Sequence, residues 1–160
     1  MDTATRKTIL RRFASGIYVV TTRHGDEWSA AVVSWLTQCS FAPPLIAMAL
    51  KRETGIQALF ARSGRAVIHA PATNQAELVQ SFFGRTIEWN GALNGSPYRL
   101  SDDGLPILPA FPAWVVVERR DALARGDHEL VTAEVVDAGI EREVEGDVLS
   151  MRDTPWSYGG

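Results

Sequence analysis

The chain has 160 residues and a formal charge of −3, because 16 Lys and Arg face 19 Asp and Glu. This length predicts one domain over residues 1–160, with a core large enough to need no disulfide or metal. A composition that is 46% hydrophobic and 22% charged excludes disordered and collagen-like chains. The slight acidity offers no basic stripe to nucleic acid and no attraction to anionic lipid, so we expect no nucleic-acid partner and no membrane attachment.

The cysteine, histidine and apolar patterns indicate a cytoplasmic protein without a metal. Cys39 is the one cysteine, so no intrachain disulfide can form, and a reducing compartment is favoured. The first residues intersperse basic and apolar side chains, unlike a signal peptide, and the longest apolar run, Phe41–Leu50, is too short to span a bilayer. His24, His69 and His128 fall on separate predicted elements, and no two have the spacing of a shared metal site.

The first part of the chain predicts a helix followed by a β-hairpin. Residues 5–13 place their apolar side chains on one helical face, and Gly16 follows as a stop signal. The β-branched segment Gly16–Thr22, a turn at residues 24–26 and the segment Ser29–Ser34 have the pattern of two antiparallel strands.

The middle of the chain alternates strands with helices. Leu45–Leu50 shows no polar alternation, which predicts a strand buried on both faces. Apolar side chains within residues 56–60 predict a short helix, and Arg65–Ala70 predicts the next strand. A capping-box pattern at Asn74–Glu77, followed by four apolar residues on one face, predicts a helix that ends at Gly84.

The last part of the chain predicts a long loop and three strands. Two Asn-Gly pairs, an Asp-Asp-Gly sequence and four prolines predict an ordered loop over residues 89–112. Trp114–Glu118, Leu130–Val136 and Asp147–Met151 are rich in β-forming residues. Six or seven strands, joined more often by turns than by helices, predict a mainly β fold of the α+β class, an antiparallel barrel with appended helices.

The common catalytic motifs are absent from the sequence, but three segments resemble one family. There is no G-x-S-x-G, G-x-G-x-x-G, phosphate-loop or H-E-x-x-H sequence. Residues 13–22 read FASGIYVVTT, residues 40–44 read SFAPP, and residues 126–128 read GDH. Together these segments resemble the flavin reductase-like family, whose members bind FMN in a split β-barrel dimer. The resemblance runs from about residue 8 to the end of the chain.

The resemblance implies hydride transfer from NADH or NADPH to FMN, or to FAD. In that reaction the two cofactors carry the chemistry, and the protein has to stack and orient the rings and exclude water. No acid–base pair is required, which agrees with the absence of one from the motifs.

The resemblance also implies a set of flavin contacts. In the family the isoalloxazine ring lies along a strand whose backbone groups hydrogen-bond the ring edge. Carried over position by position, the contacts are Ser29, Ala30, Ala31, Val32, Ser34, Trp35, Ala49, Leu50, Lys51, Thr54 and Ser81. Lys51 and Thr54 suit a phosphate, since they add a cation and a hydroxyl to a helix N-terminus. The alternative for Lys51 is a solvated strand end, and Phe83 is expected in the core.

The sequence departs from the family pattern at two positions. Where many relatives have Gly-x-Thr before a pair of serines, this chain has Ala30-Ala31-Val32, and Trp35 replaces the second serine. Val32 lacks the hydroxyl that would bond flavin, although the backbone bonds can remain, so both the flavin affinity and the choice between FMN and FAD are open. Trp35 either provides a stacking surface or fills the barrel.

The resemblance places the nicotinamide near His128 and the C-terminal aromatic residues. The Gly-Asp-His turn of the family faces the open side of the flavin, so His128 is the candidate catalytic and nicotinamide-binding residue, with Asp127 to orient it. Trp156 and Tyr158 lie in a tail that is expected to close over the dinucleotide. The alternatives are a structural histidine in a turn and a tail packed on a partner subunit.

Three functions are compatible with the sequence. The first is a homodimeric NAD(P)H-dependent flavin reductase that supplies reduced flavin to a partner monooxygenase. The second is a non-catalytic flavin-binding or electron-carrier protein on the same barrel, and the third is a binding domain without flavin. A homodimer is expected because an open barrel leaves strand edges and apolar side chains, such as Trp89, Phe111 and Trp114, to be covered.

Overall fold

The computed structural model describes residues 2–143 and 146–159 of the chain. Its helices are α1 (Thr3–Leu10), α2 (Gly55–Ser63) and α3 (Ala76–Gln80), with 3-10 turns at Thr73–Gln75 and Met151–Asp153. Its strands are β1 (Tyr18–His24), β2 (Glu27–Val33), β3 (Leu36–Ser40), β4 (Leu45–Lys51), β5 (Arg65–Ala70), β6 (Glu88–Trp89), β7 (Ala92–Leu93), β8 (Ser96–Pro97), β9 (Arg99–Leu100), β10 (Pro106–Ile107), β11 (Ala113–Ala124) and β12 (His128–Ile140). The mainly β fold with appended helices is confirmed, and none of the helices in these two ranges is long and apolar enough to cross a membrane.

Seven strands form one antiparallel sheet in the order β2-β1-β5-β11-β12-β4-β3. β2 and β3 lie at opposite edges of this sheet, although only Ser34 and Trp35 separate them in the chain. Two linking residues reach roughly 11 Å, whereas seven strands laid flat would place the edges about 29 Å apart. The sheet therefore curls into an open barrel, and the gap between its edges lies beside Ser34 and Trp35.

Successive residues of the strands supply two different cores, as the period of two in a β-strand requires. On β1, Val20 points into the barrel, where it meets Met48 of β4 and Phe60 of α2. Its neighbour Val19 points to the other face, where Phe82 and other buried side chains from the chain after α3 cover the sheet. The barrel is thus packed inside and along one outer face. β2 lies between these two cores, whereas β4 packs on the inner one.

A buried histidine fastens the segment before β11 to the sheet. His69 of β5 is fully buried, and its Nε2 accepts a hydrogen bond from Leu108 N at 2.9 Å. Its Nδ1 therefore carries the proton and donates to Val19 O at 2.9 Å. Burial lowers the pKa of His69 to about 4, so the ring is neutral at physiological pH.

The helix predicted to end at Gly84 differs from the observed structure. α3 ends at Gln80, and the chain then bends, so Phe82 is buried but Phe83 is 51% exposed rather than in the core. The predicted capping box is also wrong. The reach-back bond is made two residues earlier, because Gln75 Oε1 accepts from Ala72 N at 3.0 Å.

The other strands differ from the prediction in extent more than in place. β3 was not predicted, and β11 and β12 are longer than their β-rich cores. The predicted loop over residues 89–112 contains short paired strands, β6 to β10. Residues 147–151 form isolated bridges at Val148 and Ser150 instead of a strand. On β4, Met48 and Leu50 are buried while the preceding apolar residues are half-buried, so full burial on both faces is not found in the protomer.

Two of the three apolar side chains expected on the surface are inside the protomer. Phe111 is fully buried in the outer core, and Trp114 is buried with its Nε1 donating to Glu141 Oε1 at 2.8 Å. Trp114 fits because Gly139 faces it, where any Cβ would lie 2.2 Å from the indole ring. Only Trp89, at 80% exposed, remains available to a partner as expected.

Candidate functional site

A cleft of about 1010 Å³ lies along β2 at the gap in the barrel. One wall is β2 with the linker Ser34–Trp35, and the opposite wall is the end of β4 with the first turns of α2. The segment 82–86 and the C-terminal residues 156–158 border its mouth. The volume is at the upper end of the roughly 300–1,000 Å³ range of small-molecule sites.

The free edge of β2 offers backbone groups to the cleft at every second residue. Ala30 lies opposite Thr21 of β1, but its N–H donates to the Thr86 hydroxyl. Ala30 and Thr21 are therefore a non-hydrogen-bonded pair of the ladder. Because bonded and non-bonded pairs alternate along an antiparallel ladder, Val32 also turns its amide and carbonyl outward, away from β1. The free edge therefore presents Val32 to the cleft, while Ala30 is already occupied by Thr86.

The other wall is suited to an anion. Lys51 ends β4 and Thr54 precedes α2, and both line the cleft. Thr54 Oγ1 donates to Lys51 O at 2.6 Å and does not cap the helix. The first backbone N–H groups of α2 therefore remain available to donate to a ligand. Gly55 lies close to β2, since an added Cβ would be 3.4 Å from Ser29 Oγ. A cation and a helix N-terminus thus face the cleft together.

An ion pair of two cleft-lining side chains joins α2 to β2. Arg62 of α2 makes two hydrogen bonds to the carboxylate of Glu27 of β2, at 2.9 and 2.6 Å. Both side chains are more than half exposed, so the pair is screened by solvent and adds little stability. Its effect is geometric, since it joins α2 to the start of β2.

His128 lies beside Trp35 and the end of β4, within a cluster of polar and aromatic side chains. It begins β12 directly opposite Lys51 of β4, and its ring centre is 4.6 Å from that of Trp35. Nδ1 lies 2.9 Å from Asp127 Oδ1 and donates to it, because a carboxylate only accepts. In the neutral ring Nε2 then accepts from the Tyr158 hydroxyl at 2.6 Å. The bond from His128 lowers the pKa of Asp127, and burial raises the pKa of Tyr158.

The C-terminal tail crosses the mouth of the cleft between two aromatic contacts. The Trp156 ring meets Phe83 edge-on at 4.6 Å, and the Tyr158 ring lies 5.2 Å from Trp35. Beyond Tyr158, the carbonyl of Gly159 accepts from Arg11 Nε at 3.1 Å. The tail is therefore held at both sides by side-chain contacts.

The structure brings most of the proposed flavin contacts together. The residues that line the cleft are Ser29, Ala30, Ala31, Val32, Ser34, Trp35, Ala49, Leu50, Lys51 and Thr54, together with the tail residues Trp156 and Tyr158. His128 does not line the cleft, but it contacts Trp35 and Tyr158, which both do. Ser81 lies outside the cleft, where its hydroxyl donates to Leu78 O at 2.7 Å.

Several lining residues were not found from the sequence, among them Phe83, Arg85 and Thr86. Thr86 meets Ala30 across 56 positions of the chain, and no local pattern indicates such a bond. Gly55 could have been found, because a glycine directly after Lys51 and Thr54 is typical of close backbone approach.

The chain is similar to known flavoproteins, among them a diflavin flavoprotein and an NADH:FMN oxidoreductase. The diflavin flavoprotein A 1 of Synechocystis sp. is 25% identical over 132 residues, which are 82% of this chain and 23% of that protein. The chain thus spans less than a quarter of the diflavin flavoproteins it matches. The NADH:FMN oxidoreductase of Rhodococcus qingshengii is 29% identical over 140 residues, covering 87% of this chain and 71% of that one.

The fold is similar to that of a solved flavin reductase, the styrene monooxygenase flavin reductase of Pseudomonas putida S12. The TM-score is 0.71 at 24% identity, over 84% of this chain and 86% of that one. The family described as "Flavin reductase like domain" matches residues 10–155. This match covers most of the chain, including both walls of the cleft and His128, so the protein belongs to the flavin reductase-like domain family.

Proposed function

We propose that this protein is an NAD(P)H-dependent flavin reductase, one domain that transfers hydride from a nicotinamide to FMN. The observation that carries the proposal is the cleft itself, which joins an open backbone edge at Val32 to an anion-binding wall at Lys51. FMN has a planar ring with hydrogen-bonding edges at one end and a phosphate at the other. The similarity to the NADH:FMN oxidoreductase supports the same assignment.

The residues present fit FMN at both of its ends. Lys51 and the first amides of α2 supply the charge-assisted donors that a phosphate needs. The outward amide and carbonyl of Val32 supply complementary groups for a ring edge, so the hydroxyl missing at this position removes only one bond. FAD would add an adenylate beyond the phosphate, and the Glu27–Arg62 pair, which lines the cleft and joins α2 to β2, leaves less room for it than for FMN alone. This favours FMN.

When bound, the flavin accepts the hydride, and the residues of the chain orient the two cofactors and exclude water. The nicotinamide is proposed to enter from the side of Trp35 and His128. His128 positions the dinucleotide and transfers no proton, and Asp127 fixes its tautomer through the bond to Nδ1. Trp156 and Tyr158 cover the mouth and keep water away from the reacting rings.

The proposed active form is a cytoplasmic homodimer that supplies reduced flavin to a monooxygenase. Large apolar side chains remain exposed on the protomer, including Phe41 at 90%, Trp89 at 80% and Ile140 at 72%. Such exposed apolar surface is typical of a protein interface. Sedimentation should detect a dimer at micromolar concentration, and a stable monomer would contradict this part of the proposal.

The enzymatic proposal is tested with purified protein. FMN titration should quench flavin fluorescence, and NADH or NADPH oxidation should require added or bound FMN. Riboflavin should bind more weakly than FMN because it lacks the phosphate. If neither nucleotide is oxidised in the presence of FMN, the protein is not a flavin reductase.

One observation favours a second candidate, a flavin-binding electron carrier without a nicotinamide site. Tyr158 already occupies His128 Nε2, and the tail lies where the nicotinamide would enter. A carrier would bind FMN and exchange electrons with a reduced protein or dithionite but would not oxidise NAD(P)H. The same NAD(P)H assay therefore separates the two functions.

A further inference from the structure

An edge strand repeats its hydrogen-bonding groups every two residues, so a flat ligand can pair with it in more than one register. On β2 the outward positions are Trp28, Ala30 and Val32, and the two nearest to Trp35 in the chain are Ala30 and Val32, which turn the same kind of amide and carbonyl away from β1. A ring bound to one position would resemble a ring bound to the other, displaced by about 7 Å. The two registers differ in distance from Trp35 and His128, which stand at the Val32 end of the strand.

Thr86 removes one of these two positions. Its Oγ1 accepts from Ala30 N at 2.8 Å and donates to Ala30 O at 3.1 Å. A single hydroxyl thus satisfies both outward groups of Ala30, as a neighbouring strand would. Thr86 is half-buried and lines the cleft, so it lies where the end of a displaced ring would have to go.

Asn94 holds the segment that carries Thr86. Its Oδ1 accepts from Ile87 N at 2.8 Å, and its Nδ2 donates to Ser81 O at 2.7 Å. The backbone N–H of Asn94 also donates to Ile87 O at 2.8 Å. These bonds fix the chain on both sides of Thr86, so its hydroxyl is presented to β2 by a rigid support.

We propose that Thr86 sets the register of the isoalloxazine ring on β2 by occupying the amide and carbonyl of Ala30, which leaves those of Val32 for the flavin. This proposal rests on the proposed function. Thr86 is a positioning residue, since it acts through the backbone of β2. Its effect is to hold the ring at the end of the strand where Trp35 and His128 define the nicotinamide side.

Hydrogen exchange on the wild-type protein tests the proposal without any substitution. The Ala30 amide should be protected both without and with FMN, because Thr86 accepts from it in both states. The Val32 amide should exchange rapidly without FMN and become protected when FMN is added. Protection by FMN that appears at Ala30 and not at Val32 would overturn the proposal.

Substitution of Thr86 gives the second test. Thr86→Val keeps the shape but frees Ala30, so FMN should then protect the Ala30 amide as well, and the visible flavin absorption bands should broaden. The rate of flavin reduction in a single turnover should fall about tenfold or more, because a displaced ring is out of reach of the nicotinamide. Thr86→Ser keeps the hydroxyl and should restore the wild-type spectrum and rate.

The matched control is Thr37→Val on β3, an exposed threonine outside the cleft that should change nothing. Wild-type spectrum, exchange and rate in Thr86→Val, or equal losses in Thr86→Ser, would overturn the register proposal while FMN binding by the wild type stands. If Thr86→Val does not fold, exchange at Ala30 and Val32 in the wild type decides. Absence of FMN binding by the wild type overturns both proposals.

Discussion

The two sides of the cleft are built in different ways. The barrel side consists of β2 and β4, which are held by ladder bonds and packed on the inner core, with β2 packed on the outer core as well. The tail side consists of residues 154–159, which cross the mouth mainly through side-chain contacts: Tyr158 on His128, Trp156 on Phe83, and Arg11 on Gly159. The barrel side is better suited to a ligand that stays bound. The tail side is better suited to a ligand that binds and dissociates in each turnover.

This difference explains how the cleft tolerates an unusual sequence. The ring edge is proposed to pair with backbone groups on β2, so replacing a hydroxyl residue by Val32 leaves the main recognition in place. On the tail side, recognition depends on particular side chains, and each substitution there should be felt directly. Substitutions can therefore separate flavin binding on the barrel side from nicotinamide binding on the tail side.

The largest effect is expected on the free energy of unfolding of the barrel, when acid protonates His69. The pKa of His69 is about 4 in the fold against 6.5 when unfolded, so the unfolded state binds the proton first as pH falls. Stability from His69 is complete above pH 6.5 and is lost as pH falls toward 4, by about 2–3 kcal/mol at pH 4.5.

Urea unfolding at pH 7 and pH 4.5 measures this loss, and His69→Gln isolates it from the carboxylates. Glutamine can donate and accept but does not titrate, so the variant should lose less stability on acidification than the wild type. His24→Gln, at the exposed end of β1, is the matched control. An unchanged pH dependence in His69→Gln would show that the carboxylates alone account for it.

The next effect concerns the anion wall. Lys51→Ala should weaken FMN binding about tenfold to a hundredfold, because a hydrogen bond to a charged group is lost. Riboflavin, which has no phosphate, should bind nearly as before. Fluorescence quenching with both ligands measures the difference, and Arg52→Ala, a neighbouring cation outside the cleft lining, is the control. Equal losses for FMN and riboflavin would remove Lys51 from the phosphate site.

The sequence predicted the barrel side better than the tail side, for a physical reason. β2, β4 and α2 have local signals, namely β-branched runs, an apolar run and apolar spacing, and these elements carry most of the lining residues. β3 was missed because Thr37, Gln38 and Cys39 are all exposed, so its sequence shows no alternation. The curl of the sheet, the bond from Thr86 to Ala30 and the path of the tail depend on contacts distant in sequence, for which a single chain gives no pattern.

A smaller effect is expected at the boundary between the two sides. His128→Ala should raise the KM for NAD(P)H about tenfold, equivalent to about 1.4 kcal/mol, and leave FMN affinity nearly unchanged. The reason is that His128 contacts Trp35 and Tyr158 on the nicotinamide side, whereas it is not a lining residue of the flavin cleft. Separate titrations of FMN and NAD(P)H, with a melting curve, test this.

His24→Ala serves as the control for His128→Ala, since it removes a histidine at the exposed end of β1 that does not line the cleft. A purely structural His128 would give a different result. Its loss would lower the melting temperature and weaken both ligands together, and the proposed role on the nicotinamide side would then be wrong.

The smallest effect is expected from the tail itself. Tyr158→Phe keeps the ring on Trp35 but removes the hydroxyl that donates to His128 Nε2, so the tail should open more readily and His128 should be free for the dinucleotide. One neutral hydrogen bond is worth roughly 0.5–1.5 kcal/mol, which predicts a fall in the KM for NAD(P)H of about threefold with unchanged FMN affinity. Steady-state kinetics at saturating FMN measure it, with Tyr98→Phe, a tyrosine outside the cleft lining, as the control. A higher KM in Tyr158→Phe would instead mean that the hydroxyl binds the dinucleotide directly. The tail would then act as a closing contact rather than a competitor, and the contrast between a fixed barrel side and a yielding tail side would have to be abandoned at this residue.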